Sequence, residues 1–370
     1  MTEAEHDESS PADQAEARRY GRISLACSLA DSAIDLAYLA IMAFAAGPTI
    51  DRWLATFPEL AGEQSYLRLF VLFHIVIGLH ILVSAPLSFF SGYMVEHQFG
   101  LSNQTVKRWL RNWSLSMLLA VVFGLVMYVG LFAIIWNTGS YWWLIAAAVF
   151  FVISVVMGQL APVLIMPLFQ KIERLKDDAL EQRMDRLAEG TGLTIEGVYR
   201  LGMSEDTTKA NAMLAGLGRT RRVLMENFSH DEIDVIFAHE IGHHVHRHIP
   251  KMIATGVVWS VAGFWLCDLL LRWWAGGPAS AAPTSALPLV MFALTAFMLL
   301  LGPLQNAISR HYERQCDRYA LVRTNNASAY RSAFEKLAKL NKADMDPNPV
   351  EVFLFHSHPP IAARLAMAGD

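Results

Sequence analysis

Residues 142–166 read WWLIAAAVFFVISVVMGQLAPVLIM, a stretch without a single Asp, Glu, Lys or Arg. Wound as a helix at about 1.5 Å per residue, it is longer than the ~30 Å hydrocarbon core of a bilayer. Lipid offers backbone N–H and C=O groups no hydrogen-bond partner, so such a run must satisfy them internally, as a helix does. Five further stretches are long enough and predominantly apolar: Ile23–Ala46, Leu67–Phe90, Trp113–Trp136, Met252–Trp274 and Leu287–Ile308. Aromatic residues gather at their ends, at Trp113, Trp136, Tyr141, Trp273 and Trp274, where interfacial anchors belong. The fold class that follows is an α-helical polytopic membrane protein with about six transmembrane helices. Composition agrees, with 54% hydrophobic and 17% charged residues. A net charge of −4 gives no basic footprint and argues against a nucleic-acid partner. The partner expected for the spans is the lipid bilayer.

Positive charge sorts the connections. Arg18, Arg19 and Arg22 precede the first span, and Lys107, Arg108 and Arg111 follow the second. Residues 137–140 and 275–286 carry no charge. The positive-inside rule therefore predicts cytoplasmic termini and a cytoplasmic segment between the fourth and fifth spans. With no secretory signal pattern, a bacterial inner membrane is expected. Residues 1–21 read as a disordered tail, 22–168 as four spans, 169–250 as a cytoplasmic α+β segment, 251–308 as a membrane hairpin and 309–370 as a C-terminal cytoplasmic part. Cys27, Cys267 and Cys316 are scattered, with neither a metal knuckle nor a disulfide pattern. Asp31, Asp35, His74, His80 and Asp268 lie at membrane depth. They are expected either to pair between helices or to face a wet interior.

In the cytoplasmic segment, Leu180, Met184 and Leu187 form a helical stripe stopped by Gly190 and Gly192. Val198–Leu201, Ala210–Leu214 and Arg222–Met225 read as short strands. Ser229 followed by Glu232 is a capping box opening a helix that ends before Pro250. On that helix lies His239-Glu240-Ile241-Gly242-His243. Residues i and i+4 share a face, so both imidazoles can reach one metal ion while Glu240 sits beside it to accept a proton from water. This pattern points to a zinc hydrolase that cleaves peptide bonds with a metal-activated water.

Such sites use three protein ligands and leave a fourth position open. One variant takes a His six residues beyond the second, a position held here by Ile249. The other takes a Glu from a later helix, and Glu313 follows directly on the sixth span, which returns the chain to the cytoplasmic face. Asp317, four residues on, shares its face and is placed to accept a hydrogen bond from a ligand imidazole. The expected metal set is His239, His243 and Glu313 around one Zn²⁺ per chain. His244 and His246 point away from that face, whereas His248 is nearly in line with it.

Several dispersed motifs together resemble the integral-membrane CAAX prenyl endopeptidases, zinc metallopeptidases of the gluzincin type. The residues that carry the likeness are Val95–Thr105, Ala161-Pro162 with Pro167–Lys171, Asn211-Ala212 with Gly216 and Arg222–Leu224, His239–His243 with His248, Glu313 with Asp317, and His358-Pro359-Pro360 with Arg364 and Leu365. The resemblance implies a ring of membrane helices around a hydrophilic chamber, with a small α+β zinc-protease insert on its cytoplasmic side. It implies that Asn211 and Ala212 bind substrate backbone on an edge strand. It further implies that His358 or Asn211 steadies the oxyanion, with Arg364 nearby, and that the substrate is a peptide or protein, prenylated or membrane-embedded. Family members usually have seven spans against six here, and a Ser/Arg/His-rich lead-in to the edge strand is replaced by Glu205–Ala210. The competing readings are a membrane quality-control metalloprotease of the heat-shock type and a catalytically silent scaffold or transporter.

Overall fold

The computed structural model describes residues 10–169, 172–174, 177–201, 207–209, 213–215, 220–224 and 228–369. Six described helices are long and apolar enough to cross a membrane. They are α1 (Pro11–Leu54), α2 (Tyr66–Gln98), α3 (Val106–Asn137), α4 (Trp142–Leu164), α7 (His248–Ala275) and α8 (Leu287–Thr324). Each contains one of the six apolar stretches, so the chain is a multi-pass membrane protein. Side-chain caps start several of them: Ser65 accepts from the Arg68 amide, and Thr105 from that of Arg108.

Residues 11–21, read as tail from their composition, are instead the first turns of α1. Ser10 and Asp13 form a reciprocal capping box there, with Pro11 at the first helical position. The physical reason is local: a short polar segment with a strong start signal continues into an apolar helix that is already nucleated.

Between the fourth and fifth spans lie β1 (Ile172–Arg174), α5 (Asp178–Ala188), β2 (Thr194–Leu201), β3 (Met213–Ala215), β4 (Thr220–Leu224) and α6 (His230–Val245). The sheet order is β1-β2-β4-β3, with β2 and β4 parallel and both outer pairs antiparallel. β3 is therefore an edge strand. After α8 come α9 (Ala327–Asn341), α10 (Pro349–Phe355) and α11 (Ile361–Leu365).

The membrane bundle is packed most tightly far from the metal motif. Leu69, Leu72, Phe73, Phe132, Ile135, Trp142, Leu271, Leu287 and Val290 form one buried cluster. These residues come from the starts of α2, α4 and α8 and the ends of α3 and α7, the end of the bundle opposite the start of α7 at His248. Asp35, His74, His80 and Asp268, polar groups at membrane depth, find partners there or along the helices. Asp35 meets His80 at 2.8 Å, Asp268 accepts from Trp142 Nε1 at 2.6 Å and pairs with Arg272, and His74 bonds the Phe70 carbonyl of its own helix.

The connection from α1 to α2 is pinned by a buried ion pair. Arg68 Nε lies 2.8 Å from Asp51, and the guanidinium also donates to the carbonyls of Leu60 and Glu63. Removing one member of such a pair leaves the other charge buried and uncompensated. Arg68→Met is expected to cost about 3–5 kcal/mol, read as a lowered unfolding midpoint in detergent. A midpoint within 1 °C of the parent would show that the pair does not hold this connection.

Candidate active site

α6 is fixed from its first residue. The Ser229 hydroxyl accepts the Glu232 amide, and the Glu232 carboxylate accepts the Ser229 amide at 2.7 Å. Glu232 also takes hydrogen bonds from Ser332 and Lys336 of α9. Ile233, Ile236, Phe237 and Ile241 pack against Leu180 and Met184 of α5, while Val235 packs against Tyr330 and Phe334 of α9. The helix is thus buried on two sides. It ends at Val245, and Arg247, with a left-handed backbone (φ 55°), turns the chain into α7.

The third neighbour of α6 is α8, and here a glycine is required. A Cβ on Gly242 would sit 3.0 Å from Cys316 Cα and 3.2 Å from its Sγ. Only a residue without a side chain lets the two helices cross this closely. That crossing brings His239 and His243 onto Glu313: His239 Nε2 lies 3.1 Å from Oε2, and His243 Nε2 lies 3.3 Å from Oε1.

Hydrogen bonds on the far side of each ring settle its tautomer. Asp317, with no exposed surface, accepts His239 Nδ1–H at 2.9 Å. Arg364 holds the same carboxylate with two bonds of 3.0 and 2.5 Å, its guanidinium stacked 3.9 Å over the Phe334 ring. His243 is held differently. Gln315 Nε2 donates to His311, so its Oε1 accepts from His248 Nε2–H at 2.9 Å. His248 Nδ1 is then an acceptor, and His243 Nδ1–H donates to it at 3.1 Å. His248 is fully buried and stacked on Tyr312, centroids 4.2 Å apart. Both Nε2 lone pairs therefore face a carboxylate.

Lone pairs facing a carboxylate repel unless a cation lies among them. Two observations fit that demand. Glu313 Oε2 is buried with no hydrogen-bond donor. Burial works against a charged imidazole, yet the carboxylates of Asp317 and Glu313 outweigh it and push His239 up to about 9. The residues fit a metal ion. Cys316 also brings its sulfur within 4.8 Å of ligand atoms of His239 and His243. That sulfur lies 3.5 Å from His248 Nδ1.

Glu240 sits beside this cluster, and burial raises its carboxyl above the ordinary value while the two imidazoles oppose the rise. His358 stands at the mouth, with Nε2 3.5 Å from Glu313 Oε2 and Nδ1 2.9 Å from Ser357 Oγ. His239, Glu240, Glu313, His358 and Arg364 line a cavity of about 370 Å³, walled by Phe334 and Ile361. A second cavity of about 610 Å³ opens beside His358 toward Tyr20, Ser24 and Ser28 of α1. Of the residues singled out from sequence, His239, Glu240, His243, Glu313, Asp317, His358 and Arg364 are brought together. Asn211 and Ala212 lie outside the described residues, just ahead of β3.

Two family models divide the chain: the CAAX prenyl protease N-terminal region, described as five membrane helices, matches residues 2–171, and peptidase family M48 matches residues 174–369. This chain belongs to peptidase family M48, on its CAAX prenyl protease branch. Among curated proteins it is 29% identical to the uncharacterized metalloprotease YhfN of Bacillus subtilis over 78% of this chain and 70% of that one. It is 28% identical to CAAX prenyl protease 1 of Saccharomyces cerevisiae over 78% and 69%. The crystal structure of S. mikatae Ste24p superposes with a TM-score of 0.82, covering 100% of this chain and 91% of that one at 24% identity, a likeness of fold. The M48 protein described here is accordingly a membrane metallopeptidase acting on peptide or protein substrates. The features missed from sequence are the close approach at Gly242 and the His311–Gln315–His248 chain. His248 carried a signal in its spacing, whereas Gln315 carried none.

The cap of α6 has a pH signature. Burial raises the Glu232 carboxyl, but bonds from Ser332, the Ser229 amide and Lys336 outweigh it and hold the group below its ordinary value of 4.5. A depressed folded value means stability present above 4.5 and lost as pH falls through the folded value. Glu232→Gln should cost about 1 kcal/mol at pH 7, with the difference shrinking below pH 4.5. Chemical denaturation at two pH values checks this, and a gap that widens in acid would contradict it.

Proposed function

We propose that His239, His243 and Glu313 hold one Zn²⁺ and that the protein hydrolyses peptide bonds with water. The observation that carries this reading is the convergence of two imidazole lone pairs on a buried, donorless carboxylate oxygen next to Glu240. Bound zinc would supply Lewis-acid activation of water and of the scissile carbonyl. Glu313 is preferred to Cys316 as third ligand because both Nε2 atoms face its carboxylate.

The chain's own groups supply the rest. Glu240 accepts the proton from water and passes it to the leaving amine. Asp317 and Arg364 hold the His239 ring in the tautomer that leaves Nε2 free. If the Ser357 hydroxyl donates to His358 Nδ1, its Nε2–H points into the cleft as an oxyanion donor. Asn211 and Ala212 would pair with an extended substrate along the β3 edge, with Asn211 the other candidate oxyanion donor.

We further place the site on the cytoplasmic side of a bacterial inner membrane, since Lys and Arg concentrate in the segments flanking it. The substrate is proposed to be prenylated or membrane-embedded. Supporting this are the relatives that are CAAX prenyl proteases and the cavity leading from His358 toward α1.

Glu240→Gln should retain one zinc per chain while cleavage falls at least 10³-fold on the scale of general-base and electrostatic losses, read by metal analysis and a fluorogenic peptide. Full activity in this variant would sink the mechanism. A farnesylated peptide should be cleaved faster than its unprenylated twin, and equal rates would remove the lipid from the specificity.

A further inference from the structure

His358 is the most exposed group of the site, with 60% of its side chain accessible, and its approach to Glu313 is a loose 3.5 Å. Its ring cannot be located by packing, so its position must come from the backbone beneath it. Pro359 and Pro360 stiffen the chain on one side. The other side is held by α8. Arg310 is buried, and its Nη1 donates to two backbone carbonyls, Val352 at 2.8 Å and His356 at 2.5 Å. Asn306, one turn earlier, donates from Nδ2 to the Leu354 carbonyl at 2.8 Å.

These three acceptors are carbonyls at the end of α10 and just beyond it, where a helix runs out of internal donors; of the three, Val352 also takes the His356 amide at 3.3 Å. Burying a guanidinium to satisfy neutral carbonyls is costly, and among the described residues no carboxylate pairs with Arg310. Asn306, Arg310, Glu313 and Asp317 follow one another at i, i+4, i+7 and i+11 on a single stripe of α8. One rigid helix therefore carries the third metal-ligand candidate, the carboxylate that orients His239, and the two side chains that grip the loop bearing His358.

We infer that Arg310, assisted by Asn306, is a positioning residue that sets the distance between His358 and the metal site by clamping the 352–356 backbone. It acts through the main chain and touches no reacting atom. The inference rests on the proposed role of His358 and extends it.

The test uses the full-length protein in detergent, with zinc content, kcat and KM measured on one fluorogenic peptide for Arg310→Gln, His358→Ala and their double variant. Misplacing a catalytic group by about 1 Å can cost roughly 10²-fold. Arg310→Gln should keep one zinc per chain and leave KM within about twofold, while kcat falls about 10- to 100-fold. Adding it to His358→Ala should cause little further loss, because the clamp acts only through that ring. Asn306→Ala, which removes one of the three bonds, should lower kcat by less and with the same lack of additivity, and it decides the matter if Arg310→Gln does not fold. Wild-type activity in His358→Ala would overturn the reading of His358 and the clamp with it. A slow His358→Ala combined with full additivity, with loss of zinc, or with a wild-type rate in the Arg310 and Asn306 variants would overturn the clamp alone.

Discussion

Asp317 is a carboxylate with no exposed surface, and the geometry of the site depends on how its charge is met. An isolated buried carboxylate would cost several kcal/mol. Here one oxygen takes the His239 Nδ1–H and an Arg364 amine, and the other takes Arg364 Nε. Those partners come from α6 and α11 while Asp317 itself sits on α8, so a single charge ties together three segments far apart in the chain. The tie can form only where α6 and α8 cross closely, and that crossing depends on the missing side chain of Gly242. Positioning His239 and neutralising Asp317 are one interaction.

The bilayer imposes the second constraint. Apolar packing is concentrated at the far end of the bundle, around Trp142, Leu287 and Phe132. At the near end the helices run out toward polar machinery, and cavities of about 370 and 610 Å³ flank His358. Polar side chains within the spans, such as Asp35 with His80 and Asp268 with Trp142 and Arg272, are paired between or along helices. Of the two expectations for those groups, pairing describes Asp35 and Asp268.

Much of the site was legible because its signals are local. His239 and His243 at i and i+4, Glu313 and Asp317 at i and i+4, and Ser229 with Glu232 each state their geometry through helical spacing alone. His358 and Arg364 were found only through a resemblance, since nothing in their own neighbourhood marks a proton donor or a carboxylate clamp. β1 went unread because a three-residue strand carries too little periodicity. Residues 11–21 have the composition of a tail, and the signal for their helix is confined to the Ser10–Asp13 capping box.

What the sequence alone determined is what short-range physics dictates: six apolar runs that must be helices in lipid, and a helix with two imidazoles and a carboxylate on it. Tertiary structure decided which groups actually meet. Glu313 faces both Nε2 atoms, Gln315 sets His243 through His248, and Arg310 grips carbonyls more than forty positions away. These contacts involve residues far apart in the chain and acceptors on the backbone, which every residue carries. No pattern of side-chain types could have announced them.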